Sequence, residues 1–229
     1  EPGNFSSTSV NGTGNVGLQG GDYHFNGTTY MPGLTYRHNG PSWKAEAGFG
    51  LSHATGHHRD VSRGTFNDTN AIRNNVRIAF NDINYLRPAT ITVADATTGA
   101  SVDPYDIRNY FLGGANSLER DGVDAKRSAY ANLRRDFNGR VPVSVKTGLD
   151  VRQTLRDFRN WVVTHGYVGA DGRANTADDN AIAVLDESIS QRIPPYGFPR
   201  VQWLDNVDFY DLYRANPSHF TSNAVTALQ

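Results

Sequence analysis

The chain has 229 residues, no cysteine, and a formal net charge of −1 from 22 Lys+Arg against 23 Asp+Glu. That balance argues against a nucleic-acid partner held by bulk basic charge, and the missing thiols exclude a disulfide scaffold, a thiolate metal site and a cysteine nucleophile. The chain is polar, with mean hydropathy −0.55, yet 11% of it is aromatic, which argues against simple disorder.

In chain order, the opening Glu1-Pro2-Gly3 shows neither a basic n-region nor an apolar h-region, so no signal peptide is expected there. Both ends read as cut from something longer. Residues 12–17 spell G-x-G-x-x-G, but loop-like sequence precedes them and no helix start follows, so a dinucleotide loop is not expected. Leu34 and Tyr36 begin a short strand that turns at Asn39-Gly40, a strong tight-turn signal, into a longer one. That second strand alternates cleanly. Trp43, Ala45, Ala47, Phe49 and Leu51 fall on one face, with Lys44, Glu46, Gly48, Gly50 and Ser52 on the other. Shorter alternations follow at Val76-Ile78-Phe80, Ala89-Ile91-Val93 and Ala129-Ala131-Leu133. The last turns through Asn138-Gly139 into a second long strand, where Val143, Val145, Thr147, Leu149 and Val151 oppose Ser144, Lys146, Gly148, Asp150 and Arg152. Asn81-Asp82 suggests a third short turn.

The other connections are long and polar, over about residues 54–74, 94–126 and everything after 156. A short helix is expected at residues 208–215, ended by Asn216-Pro217. Loops this long are uncommon in compact domains, and here they alternate with tight turns. No stretch reaches the roughly 20 apolar residues of a membrane helix, but that excludes helical spans alone. Short turns alternating with long loops is the pattern of an outer-membrane β-barrel. The two long strands have near-spanning length. Tyr36, Trp43, Phe80 and Phe137 stand near the short turns, as an interfacial girdle would. The polar face would carry Arg37, Lys44, Glu46, Arg77, Arg134, Lys146, Asp150 and Arg152, a set suited to a wide wet interior. The expected fold is therefore all-β: an antiparallel up-and-down sheet forming part of a transmembrane barrel, with short periplasmic turns and long extracellular loops.

Several motifs resemble barrel hairpins of the TonB-dependent outer-membrane receptors. They are residues 34–48 (LTYRHNGPSWKAEAG), 129–137 (AYANLRRDF) and 143–152 (VSVKTGLDVR). Residues 193–200 (IPPYGFPR) and 213–220 (YRANPSHF) resemble extracellular loops of large members of that family. The resemblance covers most of the chain from about residue 16 onward. It implies a 22-stranded, plugged barrel in the cell outer membrane that imports a scarce large solute (siderophore, cobalamin or oligosaccharide class), driven by the TonB complex. Outer-membrane lipid, the plug domain and the solute would be its partners, and no enzymatic activity is implied. A plug domain, a TonB box and the terminal aromatic strand are not recognisable, and about seven strands cannot close so wide a barrel. The whole chain, 1–229, is thus expected to be an internal piece, with strands mainly over 33–160 and a long extracellular loop over 157–229.

Tyr196, Phe198, Arg200, Trp203, Phe209, Tyr210, Tyr213 and Arg214 are the residue types that capture ligands, and they suggest a solute-binding loop. The competing expectation is that they form a small core for that loop. Asp171, Asn175, Asp178 and Asp179 could furnish oxygen ligands to a loop calcium, although the glycine is not placed as in an EF-hand. No other cofactor is expected. His53, His57, His58 and Asp60 have metal-ligand chemistry, but their spacing helps only on a helix. The acid pairs Asp103/Asp106 and Asp205/Asp208 are the only hint of a glycosidase. Two other readings stay open: a soluble β-sandwich binding module, with carbohydrate as the candidate ligand, and a β-rich hydrolase.

Overall fold

The computed structural model describes residues 5–85 and 87–225, with 61% of the chain in strand and 15% in helix. The elements are β1 (Phe5–Thr8), β2 (Gly14–Gly21), β3 (His24–Tyr30), β4 (Gly33–Asn39), β5 (Trp43–Arg59), β6 (Asp68–Ile83), β7 (Thr90–Asp95), β8 (Ser101–Val102), β9 (Phe111–Asn138), β10 (Pro142–Tyr167), β11 (Leu185–Asp186), α1 (Glu187–Ser190), β12 (Trp203–Leu204), α2 (Asn206–Ala215) and β13 (Phe220–Val225). Every described strand register is antiparallel. Among the described residues no helix is long and apolar enough to cross a membrane, which says nothing of a β-barrel.

The chain divides into two compact units. The first takes the described residues of Glu1–Tyr23, Arg59–Leu118 and Val162–Thr226; the second takes His24–His58 and Glu119–Trp161. In the second unit β5 pairs with β3, β4 and β9, and β9 pairs with β10. Both expected hairpins form. Asn39 pairs with Lys44 around a turn closed by the Gly40 N–H to Trp43 carbonyl bond of 2.8 Å. Residues 139–141 join β9 to β10.

The first unit is built around β6, which pairs with β2 and β1 on one side and with β9 and β7 on the other. Its core holds Phe66, Ile107, Tyr110, Leu112, Val184, Phe209 and Phe220, all buried. Val76, Val93 and Val102 form a smaller cluster. At Gly114 φ is +151° and an added Cβ would collide with the His165 carbonyl, so only glycine lets the backbone come that close.

Asp60 ties the unit together. Fully buried, its carboxylate accepts from the backbone N–H of Val61 (2.6 Å), Asn67 (3.2 Å) and Leu118 (2.6 Å) and from the Ser117 hydroxyl (3.0 Å). An amide nitrogen cannot accept these bonds. Asp60→Asn should therefore cost about 1–3 kcal/mol, read from the urea midpoint of unfolding. An unchanged midpoint would show that the four bonds contribute nothing net.

His165 sits in the aromatic core, 5.2 Å from the Phe66 ring and 4.8 Å from the Tyr213 ring, with Nδ1 at 2.8 Å from Ser222 Oγ. Burial holds its pKa below the usual histidine value, and the negative charge of Asp60 opposes this in part. The unfolded chain therefore takes up the proton first. Stability from this group is complete above about pH 6.5 and declines as pH falls through the lowered folded value. The urea midpoint should drop more between about pH 7 and pH 5 in the natural chain than in His165→Gln. Equal drops would contradict this.

Three expectations from the sequence need correction. The polar connections at 54–74 and 94–126 are largely strand, and the stretch after 156 opens as strand: β5 runs on to Arg59, β6 begins at Asp68, β9 begins at Phe111 and β10 reaches Tyr167. These stretches are rich in Gly, Asn and charge on both faces, so alternation gives no sign of them. The third turn is not at Asn81-Asp82. Asn81 still pairs with Thr90, and the chain reverses where Asn84 and Arg87 exchange N–H to carbonyl bonds of 3.0 Å, next to Tyr85 at φ 47°. Phe80 and Arg77 belong to the first unit, on β6, and not to the girdle or polar face of the two long strands.

Candidate functional site

The second unit is a sheet with almost no interior. Among its described residues only His58 and Ala125 are buried. The register explains the chemistry of its two faces. Leu34 pairs with Phe49 and Tyr36 with Ala47; Ala45, Ala47 and Phe49 pair in turn with Leu133, Ala131 and Ala129. Since side chains alternate along a strand, all of these share one face. On β10 the hydroxyl of Ser144 bonds Arg134, so even positions take the opposite face and Val143, Val145, Leu149 and Val151 join the apolar one. Nothing among the described residues covers them: Phe49 is 55% exposed, Val145 56% and Leu149 68%. Trp43 and Phe137 stand at the turn end of this face, and Tyr30 stacks on His53 at 5.0 Å at the other.

The opposite face is a polar lattice. Tyr130 donates to Glu46 at 2.7 Å, and Arg37 pairs with the same carboxylate at 3.6 Å. Asp136 gathers Lys44 at 3.2 Å, Arg134 at 2.6 Å and Ser144 at 2.7 Å. Lys146 stands beside Tyr130 and Asn132 on this face.

Two clefts among the described residues of the first unit concern the foreseen loop. One, of about 580 Å³, is lined by Asp82, Tyr85, Arg87, Ile91, Tyr105 and Phe198, among others. Tyr196 (φ 61°) and Gly197 (φ 70°) take successive left-handed conformations after Pro194-Pro195. The turn aims their carbonyls at Arg87, which donates to them at 3.2 and 3.4 Å and lies 5.0 Å above the Phe198 ring. The second cleft, of about 530 Å³, is lined by Asp103, Tyr105, Asp106, Glu187, Arg200 and Gln202 with three further residues. Gln202 accepts the Ile107 N–H at 2.8 Å and so fixes the loop against residues 105–107. The Arg108 guanidinium beside Asp106 holds that carboxyl below the usual range. Burial, with Asp205 next, raises Asp208. Such clefts can stack a ring or sugar face on Tyr105 and Phe198 and hydrogen-bond its polar groups.

The loop residues foreseen as solute-binding therefore separate. Phe198 and Arg200 line the clefts, and Tyr196 is exposed beside the first. Tyr210 and Tyr213 line neither of these two clefts. They pack edge-on against Phe66 at 5.4 and 5.6 Å, because a loop of this length must bury something of its own. Trp203 is held in β12, its N–H bonding Ser190, and Arg214 is exposed in the last turn of α2. Arg87, Tyr85 and Tyr105 were missed, since each is a single residue in a turn with no motif around it.

Asp171 caps the Arg173 N–H at 2.8 Å, Asp178 accepts from Ala170 and Thr176, Asp179 accepts the Thr176 N–H at 2.9 Å, and Asn175 takes φ 65°. The histidines lie on a strand, where His57 bonds Asp121 at 2.6 Å and His58 faces the other way. Among the described residues no group of three or more His, Asp or Glu converges as on a metal ion. Of the acid pairs, Asp205 caps α2, and Asp103 and Asp106 cap backbone N–H groups. No protein-family model and no curated protein matches the chain.

Proposed function

We propose that this chain is a wall segment of an outer-membrane β-barrel, part of a TonB-dependent receptor that takes up a scarce large solute of the siderophore, cobalamin or oligosaccharide class. The observation that carries this reading is the uncovered apolar face of the second unit. A one-layer sheet with an open apolar face has no core to hold it in water, and its polar face cannot supply one. Hydrocarbon on one side and a wet lumen on the other satisfy both faces. Trp43–Leu51 and Val143–Val151 are each roughly nine residues, the length a tilted membrane strand needs. In this reading Leu34, Phe49, Val145 and Leu149 meet lipid, while Arg37, Glu46, Tyr130 and Lys146 line the lumen. The two clefts of the first unit lie outside the cell, where Phe198, Arg200, Arg87 and Tyr105 first hold the solute. The plug domain of the full-length parent and the TonB complex then drive its passage, without chemical change to it.

Removing the gene from its native cells tests the function. Growth should fail on one scarce nutrient (iron, cobalamin or an oligosaccharide), and loss of the TonB protein should reproduce the defect. An epitope tag placed after Gly139 should fractionate with the outer membrane and resist protease added to intact cells. Normal growth on all three nutrients, or a tag in the soluble fraction, would contradict the proposal.

A further inference from the structure

The apolar face of the second unit carries a positive charge at its turn end. Arg135 is on this face because it pairs with Trp43. Its guanidinium lies 4.8 Å from the centre of the Trp43 ring and 4.7 Å from that of the Phe137 ring. Two aromatic rings hold the guanidinium by cation–π attraction, so the group is pre-positioned. Its neighbour Arg134 faces the other way and is neutralised by Asp136 at 2.6 Å. Among the described residues no carboxylate lies within ion-pair distance of Arg135. Arg140 adds a second exposed cation in the adjoining turn. The turn end thus sets Lys44, Arg134, Arg135 and Arg140 against Asp136 alone.

We infer that Arg135, held between Trp43 and Phe137, binds the phosphate of an anionic phospholipid headgroup at the edge of the bilayer. This rests on the membrane reading above. Three features select that partner. Leu133, Val143 and Val145 continue the same face as an acyl-chain surface. The amphipathic ring of Trp43 is of the kind the headgroup boundary favours. A guanidinium offers paired N–H donors that fit phosphate oxygens. A zwitterionic headgroup also presents phosphate oxygens, but its own cation offsets them, so the third feature gains most where the headgroup carries net negative charge.

The test uses the full chain with Trp161→Phe and Trp203→Phe, which leaves Trp43 as its only tryptophan. The chain is titrated with phosphatidylcholine vesicles, and with vesicles in which part of the lipid is phosphatidylglycerol. Quenching of Trp43 by brominated acyl chains reports contact with lipid. The anionic lipid should raise partitioning about five-fold, the scale of one basic residue at a charged surface. Arg135→Gln should lose that gain and still bind phosphatidylcholine, whereas Arg135→Lys should keep most of it. Millimolar inorganic phosphate should not compete, which separates a headgroup from a free anion. An Arg135→Gln protein that keeps the full anionic gain would overturn the inference and leave the membrane reading intact. Absence of quenching in every vesicle, for every variant, would overturn both.

Discussion

Replacing Val145 by arginine is expected to cost the folded protein about 2–4 kcal/mol in a lipid bilayer, the penalty for a cation on the lipid face of a barrel near its midplane. Read from sequence alone, this substitution separates nothing, because a charge in the core of a soluble sandwich is just as costly. The structure makes it decisive. Val145 is 56% exposed and no described element covers it. If that face met water, the substitution would fall among ordinary surface changes, within about 0.5 kcal/mol. Urea titrations of the chain folded into vesicles, with Val145→Leu as the matched control, measure the difference. A cost below about 0.5 kcal/mol for Val145→Arg would place the face in water.

The second large effect concerns the first unit. Phe66→Ala should destabilise it by about 3–5 kcal/mol, as a buried aromatic truncation does when the cavity cannot close. Phe66 has no exposed surface, and rings surround it: His165 at 5.2 Å, Phe209 at 6.0 Å, Tyr210 at 5.4 Å and Tyr213 at 5.6 Å. Phe209, Tyr210 and Tyr213 are fixed on α2 and His165 on β10, so no single one can move in to fill the space. Trp203 is the only tryptophan of the first unit, and its fluorescence against urea gives the measurement once Trp43 and Trp161 are phenylalanine. A loss under about 1 kcal/mol would mean that the aromatic residues of the 157–229 segment are not a core.

The second unit was legible in the sequence because its chemistry is periodic. The Asn-Gly signal at 39–40, the alternation from Trp43 to Leu51 and that from Val143 to Val151 each become a turn or a strand with the faces expected. The helix expected at 208–215 forms as Asn206–Ala215, capped by Asp205 and ended before Pro217. The first unit was not legible, because its core is assembled from distant segments. Phe66, Ile107, Tyr167 and Phe209 come from four stretches that share no period. Asp60 shows the same limit. In sequence it stands beside three histidines and suggests a ligand; in the fold it is a buried acceptor for backbone groups at residues 61, 67 and 118. The clefts were half legible: Phe198 and Arg200 stand out in an aromatic, arginine-rich run, while Arg87 arrives from a turn more than a hundred residues away.

The most direct test of the membrane account exploits the absence of cysteine. Single substitutions from Val143→Cys to Arg152→Cys, each spin-labelled in vesicles, report collision with oxygen dissolved in lipid and with a water-soluble nickel complex. The account predicts a two-residue rhythm: oxygen contact peaks at 143, 145, 147, 149 and 151, and nickel contact peaks at the even positions between them. Nickel contact at odd and even positions alike would contradict it, and the apolar face of this sheet would then not be a membrane wall.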